Sequence, residues 1–292
     1  MKRFSIIIPN LNSVVIDRVL KALHIQTVDP SLFEVLVVGT DSPGLVELDH
    51  LVRFIPTDDK VLAPVKRNLG MDSASGEIFV FLDSDCIPRP DWLAWHLDRH
   101  DAGEVIVGGS VTFATNNYFQ LADNVSAFHD LLPHMPAGRK SYLATANLSI
   151  RRSVVAVAGK MLPNLNRAHD LEWTVRFRKM GYSLYFEPRA IIDHDPPRKN
   201  ICSVWRHWHD DAPDTLWVRL KYPKLLQTPS FAGYRWLYFC CAPLIAAWAT
   251  IYTFEHNQTR RNYWRTAPLV YLTKLVWCWS AFQRFPGTMK PI

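Results

Sequence analysis

Residues 78–85 read Ile78-Phe79-Val80-Phe81-Leu82-Asp83-Ser84-Asp85. Five apolar residues run without a break, and two carboxylates follow with one residue between them. An apolar run of this length, closed by turn residues, predicts a strand buried on both faces. Two carboxylates at its end can both reach one site across the turn. Hard oxygen ligands of this kind hold Mg2+ or Mn2+ and leave coordination positions open for diphosphate oxygens. Asp-x-Asp by itself is a frequent turn sequence, so its weight here comes from the strand before it.

Upstream, Phe4 to Pro9 and Phe33 to Val38 are β-branched, continuously apolar runs, and Phe54-Ile55 is a shorter one. Between them residues 14–26 carry apolar side chains at helical spacing (Val15, Val19, Leu20, Leu23), and residues 69–75 read as a helix closed by Gly76. Downstream, the pattern predicts a helix over 92–100, a strand over 105–107 stopped by Gly108-Gly109, and an irregular stretch over 112–142. It then predicts a strand over 148–150, helices over 153–158 and 170–180, and strands over 184–186 and 190–192. Strands alternating with helices, each strand apolar throughout, predict an α/β fold with a mostly parallel sheet covered on both faces. Ligands bind such sheets at the carboxyl ends of the strands, where Asn10, Asp41 and the Asp83–Asp85 pair fall.

Several blocks in consistent order resemble family 2 glycosyltransferases of the GT-A fold. They are Ser5-Ile6-Ile7-Ile8-Pro9-Asn10, Arg67-Asn68-Leu69-Gly70, Ala74-Ser75-Gly76-Glu77, Phe81 to Asp85, Pro90-Asp91-Trp92-Leu93, Thr145 to Arg152, and Asp170 with Arg176 and Gly181-Tyr182. The resemblance implies a Rossmann-like GT-A domain and inverting transfer from a nucleotide-sugar donor, UDP- or GDP-linked. It implies that Asp85 ligates a Mn or Mg divalent cation with Asp83 beside it near the ribose and diphosphate. His194 stands where many members complete the metal site. Pro9, Asn10 and Asp41 would line the nucleotide pocket, Arg67 would lie against the nucleotide, and Asp170 would be the general base that deprotonates the acceptor hydroxyl.

The chain also departs from the family's pattern. His169-Asp170 replaces a frequent Glu-Asp pair, and Glu172 two residues on is a second candidate base. Asp41 follows Gly39-Thr40, so one carboxylate stands where the family often has two. Asp170 could also serve as a helix N-cap, His194 as a loop histidine between Asp193 and Asp195, and Asn147 as a backbone-binding turn residue. No Q-x-x-R-W motif occurs, which argues against a processive synthase and for transfer of one sugar.

Charge divides the chain unevenly. Residues 1–196 hold 20 Lys+Arg against 23 Asp+Glu, and residues 197–292 hold 13 against 4. Eight of the 11 Trp residues lie from Trp205 onward. Basic residues with Trp and apolar runs read as a membrane interface rather than a nucleic-acid groove. Residues 236–254 form 19 uncharged positions broken by Pro243, and 266–282 form a second apolar stretch containing Lys274. Arg260, Arg261 and Arg265 in the connection oppose a two-pass anchor under the positive-inside rule, so helices lying in the interface or a re-entrant hairpin are expected. The domain expectation is therefore a catalytic domain over 1–197 and a basic, Trp-rich, membrane-associating helical region over 198–292. Five cysteines without a C-x-x-C pair suggest a reducing compartment. With no signal-like segment at the start, the expected place is the cytoplasmic face of a membrane. The acceptor expected there is a lipid-linked or cell-envelope glycan.

Two other readings are weaker. A sugar-phosphate nucleotidyltransferase would carry a Gly-rich loop after the first strand, and Ile8 to Asn12 holds no glycine. A catalytically silent scaffold is suggested only by the altered His169-Asp170 pair.

Overall fold

The computed structural model describes residues 2–113 and 116–286. The chain forms two compact units, one of residues Met1–Thr112 and Met135–Asp195, the other of Phe113–His134 and Pro196–Ile292. Residues 113–134 belong to the same unit as the chain from Pro196 onward.

The first unit contains β1 (Phe4–Leu11), α1 (Ile16–His24), β2 (Phe33–Thr40), β3 (Val52–Pro56), α2 (Ala63–Ser73), β4 (Ile78–Leu82), β5 (Cys86–Pro88), α3 (Trp92–Asp101) and β6 (Ile106–Thr112). After α4 (Tyr118–Phe128), which belongs to the second unit, come β7 (Gly138–Arg139), β8 (Asn147–Arg151), α5 (Arg152–Ala158), α6 (His169–Lys179) and β9 (Tyr185–His194). One sheet runs β3-β2-β1-β4-β8-β6-β9-β5, with β7 on β9.

The sheet is mixed and not mostly parallel. β3, β2, β1 and β4 are parallel, as is β6 with β9. β8 runs antiparallel between β4 and β6, and β5 and β7 are antiparallel to β9. Apolar runs reveal burial but carry no direction, so β8 could not be told from a parallel strand. The parallel half has the expected core: Ile6, Ile7, Ile8, Val35, Leu36, Val37, Val80 and Phe81 are fully buried. Helix α1 covers it with Ile16, Val19, Leu20 and Leu23.

Helix α2 begins at Ala63, six residues before the expected start. Its buried face includes Lys66 and Arg67 as well as Pro64, Gly70 and Met71, so the apolar period is hidden. A Cβ on Gly70 would strike the Ile7 side chain, which lets α2 lie close on β1. β6 runs through Gly108-Gly109 instead of stopping there, and the two expected strands after 183 join as β9, with a register shift opposite Gly109/Ser110.

The second unit holds α4, α7 (Ile201–Lys221), α8 (Leu237–Cys240), α9 (Ala242–Thr253), α10 (Asn257–Tyr263) and α11 (Ala267–Gln283). The expected irregular stretch 112–142 thus contains a helix. Its buried face mixes Ala122 and Val125 with Gln120, Asp123, Asn124 and Ser126, so polar residues interrupt the apolar period. Asp123 accepts hydrogen bonds from Arg198 Nε (2.6 Å), His207 Nδ1 (2.8 Å) and Trp208 Nε1 (2.9 Å). The His207 and Arg198 charges hold its carboxyl well below the usual range despite burial. Lys274 donates to Ser126 O at 3.2 Å and lies over the Trp208 ring, and burial pulls its ammonium down to about 8.

The uncharged run 236–254 is split into α8 and α9, with Pro243 in the first turn of α9. Among the described residues no helix is long and apolar enough to cross a membrane. Leu244, Trp248 and Ile251 of α9 are 73%, 69% and 72% exposed.

Candidate active site

The carboxyl ends of β1, β2 and β4 converge in the first unit, and the register explains why. Asn10 pairs with Gly39 and Leu11 with Thr40. A Cβ on Gly39, whose φ is +146°, would collide with the Asn10 carbonyl, so only glycine permits this approach. The fully buried Asn10 donates from Nδ2 to Thr40 O (2.9 Å) and accepts from Ser13 N (3.2 Å). Ser13 Oγ in turn donates to Ser84 O at 2.8 Å. The Asn10 side chain therefore braces the loops at the ends of β1 and β2. Lys66 Nζ caps the same turn by donating to Asn10 O at 2.8 Å, and burial lowers its pKa.

Asp41 closes its own turn, accepting from Val46 N through Oδ2 at 2.7 Å. Its other oxygen, Oδ1, and the neighbouring Thr40 Oγ1 are buried without a hydrogen-bond partner. Buried acceptors of this kind are costly unless a ligand supplies the donors.

Asp83 pairs with Arg67, whose Nη2 donates to Oδ1. The other arm of the guanidinium, Nη1, reaches His169 Nε2 at 2.8 Å. Burial first, and then the Arg67 charge, push His169 down to about 3, so the ring is neutral and its Nε2 accepts from Arg67. One buried arginine thus ties the first carboxylate of the Asp-x-Asp turn to the start of α6. Asp170 is the next residue of α6, with Oδ1 accepting from Leu171 N at 2.8 Å.

Glu172 behaves differently. It is 1% exposed and receives Arg176 Nη2 (2.9 Å) and Nε (3.3 Å). Arg176 also donates to Ala158 O and Lys160 O, so Glu172 anchors a structural arginine inside the unit.

Asp85 and His194 come together through the pairing of β5 with β9. Cys86 stands opposite His194, and Asp195 N donates to Asp85 O at 2.8 Å. His194 Nε2 lies 3.7 Å from Asp85 Oδ1. That separation is long for a hydrogen bond but close to the roughly 3–3.5 Å expected of two ligands each about 2.1 Å from one ion. Asp85, Cys86 and His194 each bring a ligand atom, all within 4.8 Å of one another. Asp83 lies outside this set, with one oxygen taken by Arg67. The residues present therefore fit a divalent cation held by Asp85 and His194. Burial and the flanking Asp85 and Asp83 charges push the Cys86 thiol well up, keeping it protonated.

Sequence reasoning passed over three participants. Cys86 and Lys66 flank motif residues and could have been found by asking what sits next to them. His169 was noted only as a lost acid. Asn147 is a buried hub: its amide donates to Ser110 O and Ala190 O, and its oxygen receives Trp92 Nε1 and faces His96 Nε2. This backbone-bonding role matches the expectation for it.

The mixed sheet thus gathers an Asp-x-Asp turn, a buried arginine and a histidine in one α/β unit. The chain belongs to glycosyl transferase family 2, whose profile matches residues 5–157. Among curated proteins, glycosyltransferase AglE of Haloferax volcanii is 33% identical over 201 residues, covering 65% of this chain and 66% of that protein. The mannosyltransferase PcManGT from Pyrobaculum calidifontis, solved with GDP-Man and Mn2+, superposes with a TM-score of 0.61 at 18% identity over 94% of this chain and 86% of that one. GalNAc-T7 with UDP, GalNAc and Mn2+ gives 0.56 at 12% identity over 78% of this chain and 52% of that one. Both share the GT-A fold with this chain.

Proposed function

We propose that the chain is a divalent-cation-dependent, inverting glycosyltransferase that moves one sugar from a UDP- or GDP-sugar to the hydroxyl of a lipid-linked or cell-envelope glycan acceptor. The observation that carries this reading is the pairing of Asp85 with His194, two residues from the Asp83–Arg67 pair, in one unit of a family 2 fold. The cofactor and donor classes are supported by the relatives of the same fold, which were solved with Mn2+ and with GDP-Man or UDP.

Asp85 and His194 would hold the ion, which when bound supplies positive charge to the departing nucleoside diphosphate. Asp41 Oδ1, without a partner now, would accept an N–H from the nucleobase or an O–H from the ribose. Pro9 would line the same pocket. Arg67, paired with Asp83, would orient that carboxylate beside the ribose and diphosphate. Asp170 accepts the proton of the acceptor hydroxyl as its oxygen bonds to the anomeric carbon. The carbon–phosphate oxygen bond breaks from the opposite face, and the electron pair leaves with the diphosphate. Attack opposite the leaving group inverts the anomeric centre. Glu172, locked to Arg176, does not serve as the base.

The basic, aromatic second unit supports a place at the cytoplasmic face of a membrane, held by helices lying in the interface. A lipid-linked acceptor would be met there. The test is to supply donor with a polyprenyl-phosphate-linked sugar and determine the product's anomeric configuration by NMR. One added sugar of inverted configuration supports the reading. Retention, or polymer formation, contradicts it.

A further inference from the structure

Cys86 is fully buried, yet it does not sit in a purely apolar pocket as buried thiols usually do. Its Sγ faces Asp85 Oδ1 at 3.8 Å, and the same oxygen lies 3.7 Å from His194 Nε2. The pairing of β5 with β9 sets Cys86 directly opposite His194. Residues so placed project their side chains from the same face of a sheet. An oxygen, a sulfur and a nitrogen are thus gathered within 4.8 Å on a fixed strand pair.

This donor set is unlike what Mg2+ or Mn2+ needs. Those ions favour oxygen-rich, six-coordinate surroundings, which Asp85, His194 and diphosphate oxygens can supply without sulfur. Zn2+ and Co2+ take mixed oxygen, nitrogen and thiolate ligands, Zn2+ usually four in number. They also stand above Mn2+ in the general order of affinity.

We propose that Asp85, Cys86 and His194 form a mixed-ligand site for Zn2+ or Co2+, in which Zn2+ displaces the catalytic cation and inhibits the enzyme. The proposal rests on the reading that Asp85 and His194 hold the donor cation. On binding, the Cys86 S–H bond breaks, the proton passes to solvent and a metal–sulfur bond forms; no electron is transferred. Three protein ligands then leave a four-coordinate ion a single position, too few to hold a diphosphate as an open six-coordinate ion does.

The test uses the full chain and Co2+ as the probe, followed by its near-ultraviolet thiolate-to-metal charge-transfer absorption. Wild type should develop the band on titration, and Zn2+ should abolish it in stoichiometric amounts. Cys86→Ser should lack the band while still taking up Mn2+, monitored by electron paramagnetic resonance, which also reports that the pocket is folded. Zn2+ should inhibit Mn2+-supported donor turnover in wild type, and Cys86→Ser should need at least about tenfold more Zn2+ for the same inhibition. Co2+ uptake without the band, or an equal band in Cys86→Ser, overturns this proposal and leaves the Asp85–His194 cation site standing. A wild-type protein that takes up neither Mn2+ nor Co2+ overturns both.

Discussion

Arg67 Nη1 donates to His169 Nε2 at 2.8 Å while Nη2 of the same guanidinium holds Asp83. The donor-side turn and the helix bearing Asp170 are therefore positioned by one buried side chain. The imidazole of His169 is neutral and accepts from Arg67.

Arg67→Lys removes the two-armed geometry that a point charge cannot reproduce. The expected result is a rise in donor KM and a fall in kcat/KM of about 10- to 100-fold, about 1.4–2.8 kcal/mol of transition-state stabilisation. His169→Gln, which keeps an acceptor for Arg67, should retain most activity, whereas His169→Leu should lose about tenfold. Steady-state kinetics with donor varied checks both. Equal activities in Gln and Leu variants would contradict the bridge.

The two carboxylates of α6 should separate cleanly. Asp170→Asn should lower kcat by about 10²- to 10⁴-fold with donor affinity unchanged. Glu172→Gln should leave the activity of folded protein largely intact but destabilise it by about 3 kcal/mol, because the part-buried Arg176 loses its counter-charge. Denaturant unfolding alongside kinetics tests the pair. A catalytic collapse in Glu172→Gln at normal stability would reverse the roles.

His96 and His100 lie on one face of α3, both within hydrogen-bond reach of Ser149 Oγ. Burial first lowers them to about 4 and about 3. Both stay neutral when folded, while the unfolded chain takes up protons near pH 6.5. Their contribution is therefore complete above that pH and is lost as pH falls toward 4. The expected slope is about 1.4 kcal/mol per pH unit for each histidine, read as falling Tm on acidification. His96→Asn with His100→Asn should flatten that dependence even if the variant is less stable at neutral pH.

The exposed face of α9 should carry membrane binding. Trp248→Ser combined with Ile251→Ser should weaken cosedimentation with vesicles containing anionic phospholipid by about tenfold or more, from lost apolar insertion. Wild-type protein that stays in the supernatant in low salt would defeat the membrane reading.

The apolar runs and short motifs made much of this molecule legible. Residues 78–82 are the predicted strand, and α1, α3, α5 and α6 fall within a few residues of their expected positions. What stayed hidden required pairing at a distance. Cys86 beside His194 depends on the antiparallel register of β5 and β9, which no local pattern encodes. Helix α4 was masked by the buried Gln120, Asp123, Asn124 and Ser126 that interrupt its apolar positions, and the start of α2 by the buried Lys66 and Arg67. The proline at 243 was visible, and it divides the long uncharged run as proline chemistry requires.

Asp85 and His194 are proposed to hold the cation that binds a nucleotide-sugar donor. Calorimetric titration of UDP- and GDP-sugars, with Mn2+ and with chelator, into wild type and Asp85→Ala tests it most directly. The account predicts binding of one donor class that requires Mn2+ and disappears in Asp85→Ala. Donor binding of equal affinity with chelator, or unchanged in Asp85→Ala, would contradict it.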